Sequence, residues 1–420
     1  MTRHLTRYIL IALVLGIIAG WSINALAADP AQAKAIAGYL GIVTDIFLRL
    51  IKMIIAPLVL ATLTTGIAHM GAGAAIGRMF GRTLAWFIVA SFVSLGLGLM
   101  MVNLLGPGVG VGLPLPAADA ASGIVKTAFN LKDFVSHIVP KSIFDAMAQN
   151  EVLQIVVFSM FAGIGLIAIG EDGRPITRAL DALVTLMLKI TGYVMNVAPL
   201  AVFAAVAASI AVEGLGIIVT FARFMGGFYL ALAILWALLI AAGGSVIGFG
   251  PVLRLIRAVR EPFLITFATA SSEASYPKLL EALESYGVPP RIASFVLPLG
   301  YSFNLDGSMM YCSFASLFIA QAYGIHLPLE SQIGMLLLLM VTSKGIAGVP
   351  RASLVVITAT LPFFGIPEAG VLLILAIDHF LDMGRSATNV IGNAVATAVV
   401  AKWEGELREP LPPAEARAVA

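Results

Sequence analysis

Charge is what this sequence has least of. Only 11% of its 420 residues are Asp, Glu, Lys or Arg, against about 25% in soluble domains. Hydrophobic residues make up 60%, which excludes a water-soluble globular fold and points to an integral membrane protein. The apolar stretches do not alternate at roughly ten-residue spacing, so an outer-membrane barrel gives way to a helical bundle. The single cysteine, Cys312, excludes an intrachain disulfide and a thiolate metal cluster, and in its apolar run it reads as a small buried hydrophobe. A net charge of +2 is too small to suggest a nucleic-acid partner. A GxSG nucleophile with a partner histidine is missing, as is a second-helix aspartate motif, so an intramembrane protease is set aside and the chain is not read as an enzyme.

What is present begins with MTRHLTR and an apolar run from Tyr8 to about Ala27. Followed by NALAADP, it imitates a secretory signal. Its length of about 20 residues exceeds a usual signal core and suffices to span, so it is read as a retained first membrane helix. The second span, Ile42–Ala68, contains Pro57, which is expected to kink it, while Arg49 and Lys52 reach for an interface. A third span covers Thr83–Leu105, and a Pro/Gly-rich stretch from Gly106 to about Asn150 reads as an external connection. Apolar runs resume at Val152–Ile169, at Ala179–Val212 (broken at NVAPLAVF) and at Gly214–Ile247. Arg3, Arg7, Arg78, Arg82, Arg174, Arg178, Arg254, Arg257, Arg260 and Lys402 all fall on one side of this arrangement. Such asymmetry predicts eight full spans with both termini cytoplasmic.

Beyond Arg260 the pattern changes. PFLITFATA is too short to cross a hydrocarbon core of about 30 Å, and it stops at Ser271-Ser272-Glu273 before LLEALESYG. The next apolar segment, Ile292–Tyr323, is broken at Asn304-Leu305-Asp306-Gly307-Ser308. Another half-length run, Gly334–Thr342, stops at Ser343-Lys344-Gly345-Ile346-Ala347-Gly348-Val349-Pro350 and resumes as ASLVVITATLPFF. Two half-helix hairpins and a broken helix suit a binding site near the membrane midplane, because unwound backbone is tolerated there only when buried or lining a cavity.

The last apolar segment, Glu368–Lys402, carries Asp378, Asp382, Arg385, Asn389 and Asn393. At about 100° per residue these five fall within a stripe of about 80°. Such groups face protein or a water-filled cavity and by default mark a substrate or ion path. An oligomer interface whose charges pair with one another is the duller reading, and an ion channel using the same stripe is a third. Half-helix N–H ends favour a carboxylate, whereas C=O ends and Asp306 favour Na⁺ or a proton. Arg385 offers a bidentate fork for a substrate carboxylate. Asp382, one turn away, suits an ammonium. An acidic amino acid satisfies both, whereas a simple dicarboxylate leaves Asp382 unpaired.

The segments IKMIIAPLVLATL, NVAPLAVF, TASSEASYP, GYSFNLDGS, SKGIAGVP and DMGRSATNVIGN resemble the dicarboxylate/amino acid:cation symporter family, which includes the glutamate transporters. The look is nearest to bacterial proton-coupled glutamate/aspartate symporters. The resemblance implies an all-α glutamate-transporter-like elevator fold, with eight transmembrane helices, two re-entrant hairpins and inverted repeats. It implies scaffold helices at 1–80, a transport-domain helix at 81–110, and an external loop with further scaffold helices at 111–212. A transport core at 213–405 and a cytoplasmic tail at 406–420 complete this division. It also implies a homotrimer in the cell (inner) membrane, gated from outside by the second hairpin. Ser271, Ser272, Ser308, Gly348, Val349, Asp382, Arg385, Ser386 and Asn389 would hold the substrate. Ser302, Asn304, Asp306, Ser343, Lys344, Ile346, Asn389 and Asn393 would mark cation sites, with no cofactor beyond co-transported H⁺ or Na⁺.

Departures from the family pattern sharpen the expectation. Sodium-coupled members carry aspartate where this chain has Asn393, and a threonine where it has Ala90 beside Ser91. Losing an anionic ligand weakens a Na⁺ site, which favours H⁺ or fewer Na⁺. Asp382 is retained, whereas C4-dicarboxylate carriers of the family tend to lack it, so glutamate or aspartate is expected ahead of succinate, fumarate or malate. Arg351 stands where the family has a small residue, and the resemblance assigns it nothing.

Overall fold

A chain lying in lipid must satisfy every backbone N–H and C=O internally, and an α-helix does so within one segment. A computed structural model of the chain describes residues 5–70, 73–110, 136, 138–214, 221–343, 352–375 and 377–408. Among these the regular structure is entirely helical. The first part comprises α1 (Leu5–Leu26), α2 (Pro30–Met70), α3 (Gly73–Leu105), α4 (Val152–Ile169), α5 (Arg174–Met195), α6 (Ala198–Glu213) and α7 (Ala222–Ile247). There follow α8 (Phe249–Ala258), α9 (Arg260–Thr269), α10 (Tyr276–Tyr286), α11 (Pro290–Phe303), α12 (Asp306–Ala322), α13 (Leu329–Thr342), α14 (Ala352–Thr360) and α15 (Asp378–Trp403). A short helix at Ile143–Ala148 interrupts the connection read as external.

Five stretches are long and apolar enough to cross a membrane by length and composition: Arg7–Leu26, Pro30–Ala68, Gly77–Leu105, Val152–Met195 and Ala222–Ile247. Shorter apolar helices follow at Ala198–Glu213, Leu329–Thr342 and Ser353–Phe364. Two helices extend beyond the apolar runs that announced them. The second span begins at Pro30 and continues through Pro57 for 41 residues. Its added stretch, PAQAKAIAGYLG, is Ala-rich with proline at the helix start, where the missing N–H costs nothing. The third begins at Gly73, because helix propensity continues through a basic turn that hydropathy excludes.

The helices pack in two groups. In one, α1 lies along α6, and α2 contacts α4, α5 and α6. Gly20 permits the α1–α6 approach, since a Cβ there would sit 2.6 Å from the Ala207 carbonyl oxygen, and Asn24 Nδ2 donates to Ala211 O at 2.9 Å. In the other, α15 is the centre, touching α3, α7, α9, α10, α11 and α12. From Met383 to Ala401 every α15 residue is buried. The groups meet where α11 lies on α2 and α4, α9 on α1 and α6, and the turn Glu273–Ser275 on α2.

The chain beyond α15 is tied back to this second group. Glu404, whose side chain is 5% exposed, accepts from Arg78 (2.9 Å) and Arg82 (2.9 Å) at the start of α3. Arg291 at the start of α11 pairs with Glu406, and the Arg408 N–H donates to Gly287 O at 3.0 Å. Gly287 ends α10 at φ 114°, a left-handed cap that a residue with a side chain adopts only under strain. Glu404→Ala is expected to loosen this strap by about 1 kcal/mol, since both arginines remain free to hydrate. Faster hydrogen exchange confined to the backbone around 404–408 checks it; unchanged protection there would contradict the tie.

Candidate functional site

The break in the α11–α12 segment is built by Asn304 (φ −116°, ψ 65°) and Leu305 (φ −100°, ψ 60°). Two helix ends therefore face each other inside the bundle. The first N–H groups of α12 lack intrahelical partners, and α15 supplies one. Asn389 Oδ1 accepts from Gly307 N–H at 2.9 Å and from Ser308 N–H at 3.3 Å. Asn389 Nδ2 donates to Ser308 Oγ at 3.1 Å.

One turn toward the start of α15 lies Arg385. Its Nη1 donates to Ser308 Oγ at 2.9 Å, and its Nη2 pairs with Asp382 Oδ1 at 2.8 Å. Its Nε is buried with no hydrogen-bond partner among the described residues. Ser386 Oγ donates to the same Asp382 oxygen at 2.8 Å and lies 3.4 Å from the Ala270 carbonyl. Ala270 closes α9 in a left-handed conformation (φ 51°), which is uncommon for a residue with a Cβ. The tip of the first hairpin thus rests on α15. Ser271 and Ser272 lie there, both partly buried. The Ser272 carbonyl accepts from Tyr301 Oη at 3.1 Å and Ser275 Oγ at 3.0 Å, and Thr266 Oγ1 donates to Ser275 Oγ at 2.6 Å.

A second cluster lies one turn further along α15. Asn304 and Asp306 have no solvent exposure and Asn393 is 1% exposed. Asn304 Nδ2 donates to Asp306 Oδ2 at 3.2 Å and to Asn393 Oδ1 at 3.1 Å. Ser94 of α3 donates to Asp306 Oδ1 at 3.4 Å. Ser302 Oγ and Asn304 Oδ1 are buried oxygens with no hydrogen-bond partner among the described residues. A buried oxygen without a donor is costly, and a small hard cation is the chemistry that satisfies oxygens and a carboxylate together. Ser343 is buried, and its hydroxyl donates to the Met309 thioether sulfur, Sδ, at 3.3 Å. Lys344, Ile346, Gly348, Val349 and Arg351 lie outside the described residues.

The sequence places Asp378 on the polar stripe without naming its partner, and gives no site role to Tyr311 or Ser94. Tyr311 Oη donates to Asp378 Oδ1 at 3.0 Å, and Phe228 packs edge-on against its ring at 5.5 Å. Tyr311 follows Ser308 by three positions, so helical spacing alone puts both on one face of α12. Asp378 and Asp382 are the two carboxylates whose charges act on Arg385. Ser94 lies in an uninterrupted apolar helix, where no sequence signal sets it apart from a packing serine. On the opposite side α7 fixes α15, with Trp236 Nε1 donating to Thr388 Oγ1 at 2.8 Å and Tyr229 Oη to Phe380 O at 2.5 Å.

A largely buried arginine–carboxylate pair beside a fully buried carboxylate–amide cluster at a helix break is the chemistry of a membrane carrier for an anionic solute and a cation. The model of the sodium:dicarboxylate symporter family matches residues 5–403, and the chain belongs to that family. It is 38% identical over 407 residues to the proton/sodium-glutamate symport protein of Geobacillus stearothermophilus, covering 96% of this chain and 94% of the relative. The protein of the same description from Bacillus subtilis (strain 168) is 36% identical over 408 residues, 96% of this chain and 93% of the relative. C4-dicarboxylate transport protein 2 of Mesorhizobium japonicum is 39% identical over 371 residues, 87% of this chain and 84% of the relative.

Proposed function

We propose that this chain imports glutamate or aspartate together with H⁺, Na⁺ or both, as a secondary symporter of the inner membrane with cytoplasmic termini. The observation that carries the reading is the Arg385–Asp382 pair, whose side chains are only 11% and 14% exposed. The arginine presents a planar fork to a side-chain carboxylate, and Asp382 accepts the α-ammonium. The α12 N-terminus, backed by Asn389 and Ser308, adds N–H groups suited to a second carboxylate. Ser271, Ser272, Ser386 and the 348–349 pair complete the substrate set. The cation set is Ser302, Asn304, Asp306, Ser343, Asn389 and Asn393, with Lys344 and Ile346. Binding of solute and cation at neighbouring points of α15 makes each favour the other's presence, which is what symport requires.

In this reading the group centred on α15 moves as one body against α1, α2, α4, α5 and α6, in an elevator of eight spans assembled as a homotrimer. The second hairpin is the external gate. The contact surface between the groups, α11 and α9 against α2, α4, α1 and α6, is where sliding takes place.

A C4-dicarboxylate is the alternative solute, favoured by the 39% identity to a C4-dicarboxylate transport protein. Proteoliposome uptake of labelled aspartate, glutamate and succinate, with Na⁺ and pH gradients imposed separately, decides between them. Aspartate or glutamate uptake well above succinate supports the proposal; succinate alone overturns it. Asp382→Ser is expected to lower amino-acid uptake about tenfold more than succinate uptake, since a charge-assisted hydrogen bond of about 1.5–3 kcal/mol is lost only by the ammonium. Equal losses for both solutes would remove the ammonium role.

A further inference from the structure

Three glycines stand where α11, α12 and α15 cross, and each is pressed by a different kind of atom. A Cβ on Gly392 of α15 would collide with Asp306 Oδ2 and lie 3.0 Å from its Cγ and 3.4 Å from Asn304 Nδ2. A Cβ on Gly300 of α11 would collide with Asn393 Oδ1 and lie 2.9 Å from its Cγ. A Cβ on Gly307 would instead meet the backbone carbonyl of Arg385. At Gly307 the missing methyl lets one main chain pass another. At Gly392 and Gly300 it holds the polar end of a side chain from the facing helix.

Those side chains are two members of the proposed cation set, and they are bridged by Asn304. The arrangement is reciprocal: α12 reaches its carboxylate toward a glycine of α15, and α15 reaches its amide toward a glycine of α11. Neither group has slack, because Asp306 and Asn393 are buried and packed interiors absorb an added methyl only by displacing atoms.

We propose that Gly392 and Gly300 are positioning residues for the cation cluster: each leaves one methyl-sized space that fixes where the Asp306 carboxylate and the Asn393 amide lie. Cation affinity depends on oxygens held at set distances. A methyl at either glycine therefore moves a ligand group without removing it. The proposal rests on the symport reading above, and the test separates the two.

The full chain and its Gly392→Ala, Gly300→Ala and Gly20→Ala variants are purified and reconstituted. Aspartate uptake is titrated with Na⁺ at fixed pH and with pH at fixed Na⁺, and thermal melting is followed under the same titrations. Gly20, pressed against a backbone carbonyl of α6, controls for tight packing away from the cluster. Gly392→Ala is expected to shift the half-maximal cation concentration, for whichever ion drives uptake, by tenfold or more. Its uptake at saturating cation falls less. Gly20→Ala lowers the melting temperature without that shift. An unchanged cation dependence in a folded Gly392→Ala protein overturns the proposal.

If Gly392→Ala does not fold, a double-mutant cycle on melting temperature decides. Asn393→Ser shortens the group that occupies the Gly300 space, so adding Gly300→Ala to it costs little, whereas the same change in the parent costs much. Additive losses overturn the positioning role. Wild-type protein that takes up no acidic solute under either gradient defeats the symport reading instead, and the melting cycle still reports on the glycines.

Discussion

Arg385→Ala is expected to abolish uptake of solutes with a side-chain carboxylate. Arg385 is 9% exposed, its guanidinium is set by Ser308 Oγ and Asp382, and its Nε has no protein partner among the described residues. Truncating one side of a desolvated charge pair costs about 2–5 kcal/mol. At about 1.4 kcal/mol per tenfold, affinity falls by between roughly thirty-fold and a few thousand-fold. Amino acids without that carboxylate should lose far less. The change also leaves Asp382 and Asp378 facing a site stripped of its cation, at a stability cost of about 3–5 kcal/mol. Arg385→Lys separates the two effects. It keeps the charge and the fold but lacks the planar fork, so binding is expected to be intermediate. Substrate titration of both variants by calorimetry checks this, and normal affinity in Arg385→Ala would exclude Arg385 from the substrate site.

The second large effect is expected at Asp306, where Asp306→Asn should uncouple uptake from its driving gradient. The carboxylate is fully buried beside Asn304 and Ser94, and an amide keeps its size while removing the charge. Charges attract far more strongly in a poorly solvated site than in water. Loss of the anionic ligand is therefore expected to weaken cation binding about a hundredfold, equivalent to about 2.8 kcal/mol. Gradient-driven aspartate uptake, measured against Na⁺ and against pH, is the readout. Retained coupling to both ions would exclude Asp306 from the cation set.

Arg385 lies on α15, and Asp306 opens α12 and lies against α15 at Gly392, so the two substitutions meet different partners. Arg385 meets α12, whereas Asp306 is met by Asn304 at the helix break, by α3 through Ser94 and by α15 through the space at Gly392. In the proposed reading, solute and cation therefore share α15 as a wall. Movement of that helix to suit one occupant is felt by the other, which gives their coupling a physical route.

Much of this was legible in the sequence by itself. Low charge and long apolar runs determined the membrane class. Breaks at Asn304-Leu305 and after Thr269 were marked by turn residues inside apolar surroundings. The stripe from Asp378 to Asn393 followed from the helical repeat of 3.6 residues per turn, which fixes relative position within one helix whatever surrounds it. The start of α2 at Pro30 did not follow, because hydropathy detects lipid exposure and not helix propensity.

Only the tertiary structure decided which groups meet. That Asn389 caps α12, that Tyr311 holds Asp378, that Ser94 reaches Asp306 and that residues 404–408 are tied to α3, α10 and α11 depends on registers between helices. Those registers are set by many weak contacts and by a few glycines that admit close approach, and no local spacing in the chain encodes their sum.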